Sequence, residues 1–256
     1  MKNPLVSIGT LSYNSAAFIN ETIRSVLSQT YLNWEYIICD DCSTDNTVEI
    51  IKSYKDPRIK LFVNEKNMGY YENGKRLYNY LGGSFIKILD HDDVLYADCI
   101  ERQLDILLNN PDAAIVTCDA DFINAAGKKM YVNKIPFKAD AVTRKQVIDC
   151  MFRTARNSFI DGSRTMLRRE VLGRDFLLNV DEKLYIIHEP LCAYRLLPTS
   201  LQMNISCIKE FQEGYKSLYL NKSLKISRLQ YINVCVVNFI NYFFRCLIKV
   251  LFNIWK

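Results

Sequence analysis

Histidine is scarce in this chain, since His91 and His188 are the only two among 256 residues. Nine cysteines are present, but only Cys39 and Cys42 have C-x-x-C spacing, and no second pair of this kind could complete a zinc site. The two aspartates between these thiols would raise their pKa values, the opposite of what a redox motif requires. The sequence therefore argues against zinc and redox sites, and the scattered cysteines indicate a reducing compartment.

A strong excess of positive charge is also missing. The net charge is +5, and without a concentrated basic face we expect no nucleic-acid partner. Residues 1–4 lead straight into a strand-like run, so we expect no signal peptide and a cytoplasmic protein. Apolar residues make up 49% and charged residues 24% of the chain, which indicates a globular protein with one domain, or one domain and an appendage.

Acidic residues are absent from position 221 to the end, a stretch that carries six lysines and arginines. Residues 231–255 are rich in aliphatic and aromatic side chains. A spanning helix needs about 20 mainly apolar residues, and asparagines, Arg245 and Lys249 interrupt this run. We therefore predict a basic, helical extension over residues 206–256. It either lies on anionic lipid or packs on the rest of the chain or on a second copy.

The first 118 residues alternate between strand and helix patterns. Strands are predicted at 5–9, 35–39, 59–63, 85–89 and 113–118, and helices at 16–28, 47–54, from 69 to Gly82-Gly83, and at 97–108. The Gly82-Gly83 pair is typical of a helix C-cap. This alternation predicts an α/β fold with a mostly parallel sheet and helices on both faces.

Polar clusters follow three of these strands: residues 12–14, Asp40-Asp41, and Asp90-His91-Asp92-Asp93. In parallel sheets, ligands bind beyond the carboxyl ends of the strands. Three carboxylates within four positions repel one another unless a cation or hydrogen bonds offset the charge. Mg²⁺ and Mn²⁺ prefer such ligands, and Mg²⁺ is usually shared with substrate phosphates. With Asp41 as an acceptor for a base N–H and Tyr13 as a stacking partner, the clusters predict a nucleotide-diphosphate pocket.

Other interpretations of the acidic cluster are weaker. Glu101 is twelfth from Asp90, as in an EF-hand loop, but Val94 and Leu95 occupy positions that need an oxygen ligand and glycine. A phosphotransferase aspartate usually follows the first strand rather than the fourth. A solvated loop whose acids cap a helix stays open as an alternative.

Five segments carry a family resemblance: VSIGTLSYN (6–14), ETIRSVLSQTY (21–31), DDCSTD (40–45), NMG (67–69) and LDHDD (89–93). Their order and spacing resemble those of family 2 glycosyltransferases with the GT-A fold. The match covers about the first 110 residues and continues more weakly through 165–170 and 189–195. It implies a Rossmann-like GT-A domain and inverting transfer of a sugar from a nucleotide diphosphate, commonly a uridine one.

The resemblance also implies roles for individual residues. Leu11, Tyr13, Asp41 and Asp92 would bind the nucleotide, with Tyr13 and Asp41 at the base and Asp92 at the ribose. Asp93, with Asp90 as a second ligand, would hold Mn²⁺ or Mg²⁺.

The same resemblance predicts the acceptor and the domain limits. The acceptor would be a glycan or a lipid-linked glycan, with residues 231–255 on the inner face of the plasma membrane. The GT-A domain would span 1–205, with 1–118 as the nucleotide-sugar-binding half and 119–205 as the acceptor half.

Two departures from the family pattern fall on the acceptor side. The segment that usually ends in an acidic pair, one of whose acids is the catalytic base, is shortened here to residues 173–188. Asp175 is the first candidate for that base, and Asp161, Asp181 and Glu182 are weaker ones. Leu197 stands where a histidine is common. An alternative function is therefore a nucleotide-sugar-binding or partner protein with impaired catalysis.

Overall fold

The computed structural model describes residues 3–154, 162–171 and 183–197 of the chain. The strands are β1 (Val6–Ser12), β2 (Trp34–Asp40), β3 (Ile59–Val63), β4 (Phe85–Ile88), β5 (Val94–Leu95), β6 (Ala113–Ile123), β7 (Lys129–Asn133), β8 (Ala141–Thr143), β9 (Met166–Arg168) and β10 (Lys183–Arg195). The helices are α1 (Ile19–Leu27), α2 (Thr47–Ser53), α3 (Tyr70–Tyr80), α4 (Cys99–Asn109) and α5 (Arg144–Thr154), with a 3-10 turn at Arg169–Val171.

The strands form a single ten-stranded sheet in the order β3-β2-β1-β4-β9-β6-β10-β5, with β7 on β6 and β8 on β10. Strands β1 to β4 are mutually parallel. Beyond them the sheet is mixed, since β9 runs antiparallel to both β4 and β6, whereas β10 runs parallel to β6. The predicted α/β fold is confirmed, and its parallel part is the N-terminal half.

Helices cover both faces of the sheet. On one face, α1 buries Ile19, Ile23 and Val26 in the main apolar core. On the other face, Leu77 of α3 packs with residues of β2 and β4. These apolar side chains recur three or four positions apart on α1, so burying that stripe fixes the helix on the sheet. The polar residues after β1, β2 and β4 therefore meet at one sheet edge.

Strand β6 continues beyond residue 118, where the sequence pattern predicted its end. The continuation includes two buried aspartates, Asp119 and Asp121. The N–H of Ile135 donates to Asp119 at 2.8 Å, and the hydroxyl of Tyr96 donates to Asp121 at 2.6 Å. Because these partners come from other elements, the acids are tolerated inside a strand.

The glycine pair after α3 has a role other than the predicted one. Helix α3 ends at Tyr80, and its C-cap residue Leu81 is extended, with φ −71° and ψ 113°. Among the described glycines, positive φ occurs at Gly69 and Gly127, not at Gly82 or Gly83. A Cβ on Gly83 would lie 2.6 Å from the carbonyl oxygen of Leu5 and the backbone nitrogen of Ser7. The predicted glycine C-cap is thus wrong, and Gly83 instead permits close packing against β1.

Within the described ranges, none of the helices combines the length and apolar character needed to cross a membrane. The predicted extension at 206–256, its apolar run at 231–255 and the domain limit near 205 all lie outside those ranges.

Candidate active site

A pocket of about 550 Å³ opens at the carboxyl ends of β1, β2 and β4. This volume is typical of small-ligand sites, which span roughly 300–1,000 Å³. Its walls come from four segments: Leu11, Ser12 and Tyr13; Asp41; Asn67, Gly69, Tyr70 and Asn73; and Asp90, His91 and Asp92. Five of the predicted nucleotide and metal residues thus line one cavity, although they come from three separate strand ends.

Asp41 lies at the floor of this pocket and is only 4% exposed. Its Oδ1 accepts hydrogen bonds from the side-chain amide of Asn64 at 2.7 Å and from the N–H of Met68 at 2.8 Å. Its Oδ2 accepts one from the N–H of Gly69 at 2.8 Å. A carboxylate offers about four acceptor sites. Asp41 is therefore held in one orientation and keeps acceptor capacity for a ligand N–H.

Tyr13 stands at the mouth of the pocket with 45% of its surface exposed. It follows β1 in a tight turn, because its N–H donates to Ser15 and Asn14 adopts positive φ of 48°. The side chain of Asn14 accepts from the N–H of Thr44 at 2.9 Å, which ties this turn to the loop after β2. The ring is thereby presented to a planar ligand next to Asp41.

The carboxylates of the acid loop, residues 90–93, separate into two environments. Asp90 and Asp92 line the pocket, whereas Asp93 does not and is only 2% exposed. One oxygen of Asp93 accepts the N–H of Arg195 at 2.9 Å. Burial, reinforced by the charges of Asp90 and Asp92, raises the pKa of Asp93 well above its ordinary value. Asp93 is not among the residues that line the pocket, and its expected role as principal metal ligand stays a prediction.

Whether the acid loop fits a divalent cation depends on its donors. Asp90 and Asp92 bring two carboxylates to one cavity, the hard oxygen donors that Mg²⁺ and Mn²⁺ prefer. Among the described residues, no three His, Cys, Asp or Glu side chains are grouped closely enough to enclose a metal by themselves. Mg²⁺ commonly takes one or two carboxylates and completes its shell with water and substrate phosphates. The donor set suits a cation shared with a diphosphate.

Two other segments fix the backbone of the acid loop. The hydroxyl of Thr22 in α1 contacts the carbonyl oxygens of His91 and Asp93, both at 2.9 Å. The N–H of Asp90 donates to the hydroxyl of Ser163 at 3.0 Å. These bonds hold the loop backbone in place before a ligand binds.

Arg195 is a positioning residue. It is the last residue of the segment 189–195 that resembles the family, but the sequence pattern did not predict a role for it. Its guanidinium is 1% exposed and forms an ion pair with Glu21 on α1. Its Nε donates to the carbonyl oxygen of Asp92 at 2.9 Å, and its Nη1 donates to those of Asn124 and Ala125 at 3.1 Å. A buried arginine with so many backbone partners organises the loop rather than contacting substrate.

On α3, Lys75 pairs with Glu72 at 2.8 Å and Arg76 donates to Asn64, and neither lines the pocket. Tyr70 and Tyr71, at the start of the same helix, are 76% and 72% exposed. Tyr70 lines the pocket.

The catalytic-base candidates Asp175, Asp161, Asp181 and Glu182 lie outside the described residues. Of the two histidines, His91 lines the pocket, whereas His188 lies 3.5 Å from Asp140.

Comparison with known sequences gives a family match. Residues 7–175 match glycosyl transferase family 2. The chain is 43% identical over 110 residues to Escherichia coli WfgD, a UDP-Glc:alpha-D-GlcNAc-diphosphoundecaprenol beta-1,3-glucosyltransferase, and the match covers 43% of this chain and 44% of WfgD. It is 30% identical over 216 residues to Bacillus subtilis TuaG, whose name assigns it to teichuronic acid biosynthesis, covering 78% of this chain and 82% of TuaG. The chain thus spans less than half of WfgD.

Solved structures show the same fold at low identity. S. aureus TarS in complex with UDP-GlcNAc matches with a TM-score of 0.64 and 16% identity, covering 90% of this chain and 79% of that chain. The mannosyltransferase PcManGT from Pyrobaculum calidifontis, in complex with GDP-Man and Mn²⁺, matches with a TM-score of 0.59 and 15% identity. This match covers 92% of this chain and 74% of that chain. These matches confirm the expected GT-A architecture.

Proposed function

The chain belongs to glycosyl transferase family 2, and on that premise we propose that it transfers a sugar from a nucleotide diphosphate to an acceptor hydroxyl with inversion. The observation that carries this proposal is the pocket itself. Asp41 and Tyr13, which follow neighbouring strands at one edge of the sheet, suit a nucleotide base. Asp90 and Asp92 in the same cavity suit a metal ion bound to a diphosphate.

We assign the cation to Asp90 and Asp92 rather than to Asp93, because the first two line the cavity and Asp93 is not among its lining residues. A bound Mg²⁺ or Mn²⁺ would offset the charge that develops on the leaving diphosphate. Asp93 instead anchors the loop through the N–H of Arg195. We thus propose that Asp92, which the resemblance places at the ribose, is a metal ligand.

The donor and the acceptor follow from the relatives. WfgD carries UDP-Glc and a diphosphoundecaprenol acceptor in its name, and TarS is solved with UDP-GlcNAc. We propose a uridine donor here, with Leu11 and Tyr13 against the base and Asp41 accepting a base N–H. The proposed acceptor is a lipid-linked glycan of a surface polysaccharide, built by a GT-A domain that ends near residue 205. The acceptor-side base remains assigned to Asp175 as a prediction.

The metal assignment is tested by calorimetric titration of UDP into the protein with and without Mn²⁺. We expect Asp90→Asn and Asp92→Asn each to weaken Mn²⁺-dependent UDP binding by at least about tenfold, since even changes outside the ligand shell cost that much. Asp93→Asn should retain Mn²⁺-dependent binding, because an amide oxygen can still accept the N–H of Arg195. Asp105→Asn, an exposed change on α4, is the matched control. If UDP binding lost its dependence on Mn²⁺ in Asp93→Asn alone, Asp93 would be the metal ligand instead.

A second function is favoured by the shortened segment at 173–188 and by Leu197. A protein that holds the donor without transferring it would bind UDP and Mn²⁺ as above but would release no UDP from a nucleotide sugar. Turnover with any lipid-linked acceptor, or hydrolysis of the donor, would exclude this alternative.

A further inference from the structure

The hairpin formed by β6 and β7 carries exposed basic and apolar side chains at its turn and along its outer strand. Residues 122–139 contain four lysines and no acidic residue. Two large apolar side chains, Met130 and Tyr131, are 56% and 50% exposed among them. We propose that this hairpin surface, Lys128, Lys129, Met130, Tyr131, Lys134 and Lys138, docks on a lipid bilayer that carries anionic headgroups.

A simpler explanation covers only half of this surface. In the described sheet β7 pairs with β6 alone, so its other edge is open, and lysines on open edges prevent strands from pairing with other chains. That role needs charge and is not served by exposed Met130 and Tyr131. Aromatic and aliphatic side chains interleaved with lysines are typical of segments that lie at a membrane interface. Charge and apolar exposure together therefore favour lipid.

The hairpin surface is held in shape before any partner binds. Tyr131 packs edge-to-face on Phe122 of β6, with ring centroids 4.9 Å apart. At the turn, the side-chain oxygen of Asn124 accepts the N–H groups of Ala126 and Lys128 at 3.0 and 2.9 Å. Gly127 closes the turn with φ of 77°. A preformed surface loses little conformational entropy when it binds.

The hairpin lies close to the pocket, so a bilayer bound to the hairpin would also lie close to the pocket. One guanidinium, that of Arg195, donates to the carbonyl oxygens of Asn124 and Ala125 in the hairpin turn and to that of Asp92 in the acid loop. Asp92 lines the pocket. A bilayer in contact with the hairpin would thus lie beside the pocket, where a lipid-linked acceptor would be anchored. The lipid contact itself does not depend on sugar transfer, so it goes beyond the proposed function.

The lysines differ in what they can contribute. Lys129 forms an ion pair with the buried carboxylate of Asp121 at 2.9 Å, so replacing it would take the neighbouring positive charge away from that acid. Lys128, Lys134 and Lys138 are exposed and can be replaced without this side effect. Each lysine close to an anionic surface contributes about a fivefold gain in partition.

The test measures co-sedimentation of the full chain with vesicles of phosphatidylglycerol and phosphatidylcholine in equal amounts, and with pure phosphatidylcholine. We expect the triple variant Lys128→Gln, Lys134→Gln, Lys138→Gln to lower partition to the anionic vesicles by up to roughly a hundredfold. Met130→Gln should lower partition by a smaller factor. Because every variant retains residues 198–256, lipid binding by that segment is common to all.

Matched controls remove the same charge and the same kind of side chain elsewhere. Arg24→Gln, Lys52→Gln, Lys55→Gln changes three exposed cations on the α1 and α2 side, and Leu32→Gln changes an apolar side chain that is 71% exposed. Equal losses in the control triple, or no preference of the parent chain for anionic vesicles, would overturn the proposal. So would a hairpin-dependent affinity for dextran sulfate without any effect on vesicles, which would assign the surface to an anionic glycan.

Discussion

Glu35 shows how one carboxylate joins several strands away from the pocket. It lies on β2 and accepts the hydroxyl of Ser7 at 2.6 Å, the N–H of Gly82 at 2.7 Å and the ammonium of Lys60 at 2.9 Å. Burial raises its pKa, but these hydrogen bonds and the charge of Lys60 outweigh burial, so the pKa of Glu35 lies below its ordinary value. The charged form is therefore the one that stabilises the fold.

A lowered pKa has a defined sign for stability. Glu35 contributes fully above its unfolded pKa of about 4.3, and the contribution is lost as pH falls through the lower folded pKa. We expect Glu35→Gln to reduce the free energy of unfolding by about 1–2 kcal/mol at neutral pH, and the difference from the parent chain to shrink in acid. Urea titrations at several pH values measure this. An exposed change, Glu49→Gln, should show no such trend, and a pH-independent gap for Glu35→Gln would contradict the assignment.

At the scale of elements, the junction between α3 and β4 depends on Gly83. This glycine is needed because the neighbouring backbone leaves no room for a Cβ, not because the chain adopts a positive φ there. The backbone of β1 approaches Gly83 so closely that a Cβ would lie 2.6 Å from two backbone atoms. Backbone atoms in a central strand cannot move aside as a flexible side chain can. The junction between helix and sheet therefore tolerates no side chain at this position.

We expect Gly83→Ala to lower the free energy of unfolding by about 1–3 kcal/mol or more, the usual cost of overpacking. Gly74→Ala is the matched change within α3, where the new Cβ would meet only a Leu11 methyl group at 3.6 Å. That variant should be stabilised by about 0.5–1 kcal/mol, because alanine is a better helix former than glycine. Thermal or urea unfolding of the pair distinguishes the two effects, and equal shifts would refute this account of the junction.

At the scale of the whole molecule, Arg195 connects the end of β10 to α1, to the acid loop and to the hairpin turn. The ion pair with Glu21 is half exposed on the carboxylate side, so it contributes little by itself. The three bonds from the guanidinium to carbonyl oxygens are partly buried and together contribute more. The arginine therefore couples the pocket to the hairpin through its backbone contacts.

We expect Arg195→Lys to reduce the free energy of unfolding by about 1–3 kcal/mol and also to weaken Mn²⁺-dependent UDP binding, since an ammonium cannot reach all of these carbonyl groups. Glu21→Gln should change the free energy of unfolding by less than about 1 kcal/mol and leave UDP binding intact. Unfolding and UDP titration on both variants provide the measurement. Unchanged UDP affinity in a folded Arg195→Lys would show that the residue supports the fold without positioning the loop.

Hydrophobic periodicity and turn residues were sufficient to predict the order of strands and helices in the N-terminal half of the fold. The third strand, at 59–63, was placed correctly because its limits depend on local signals, Pro57 before it and polar residues after it. The pairing of β9 between β4 and β6 depends on contacts between distant segments, which no local pattern contains. The sequence predicted the pocket acids as a group, and Asp41, Asp90 and Asp92 line one cavity. Which of them faces the ligand depends on burial of Asp93 beneath Arg195, and neighbouring aspartates look alike in a sequence.

The order of strands in the sheet has a consequence for synthesis of the chain. Strands β1 to β4 and their helices come from the first third of the sequence, yet β9 and β10, made last among the described strands, pair beside β4 and β6. Until they arrive, one edge of β4 has no partner, and the acid loop lacks its bonds to Ser163 and Arg195. Contacts distant in sequence form slowly. A nascent chain should therefore build its nucleotide-base wall early, and its ordered metal loop only when the final strands are in place.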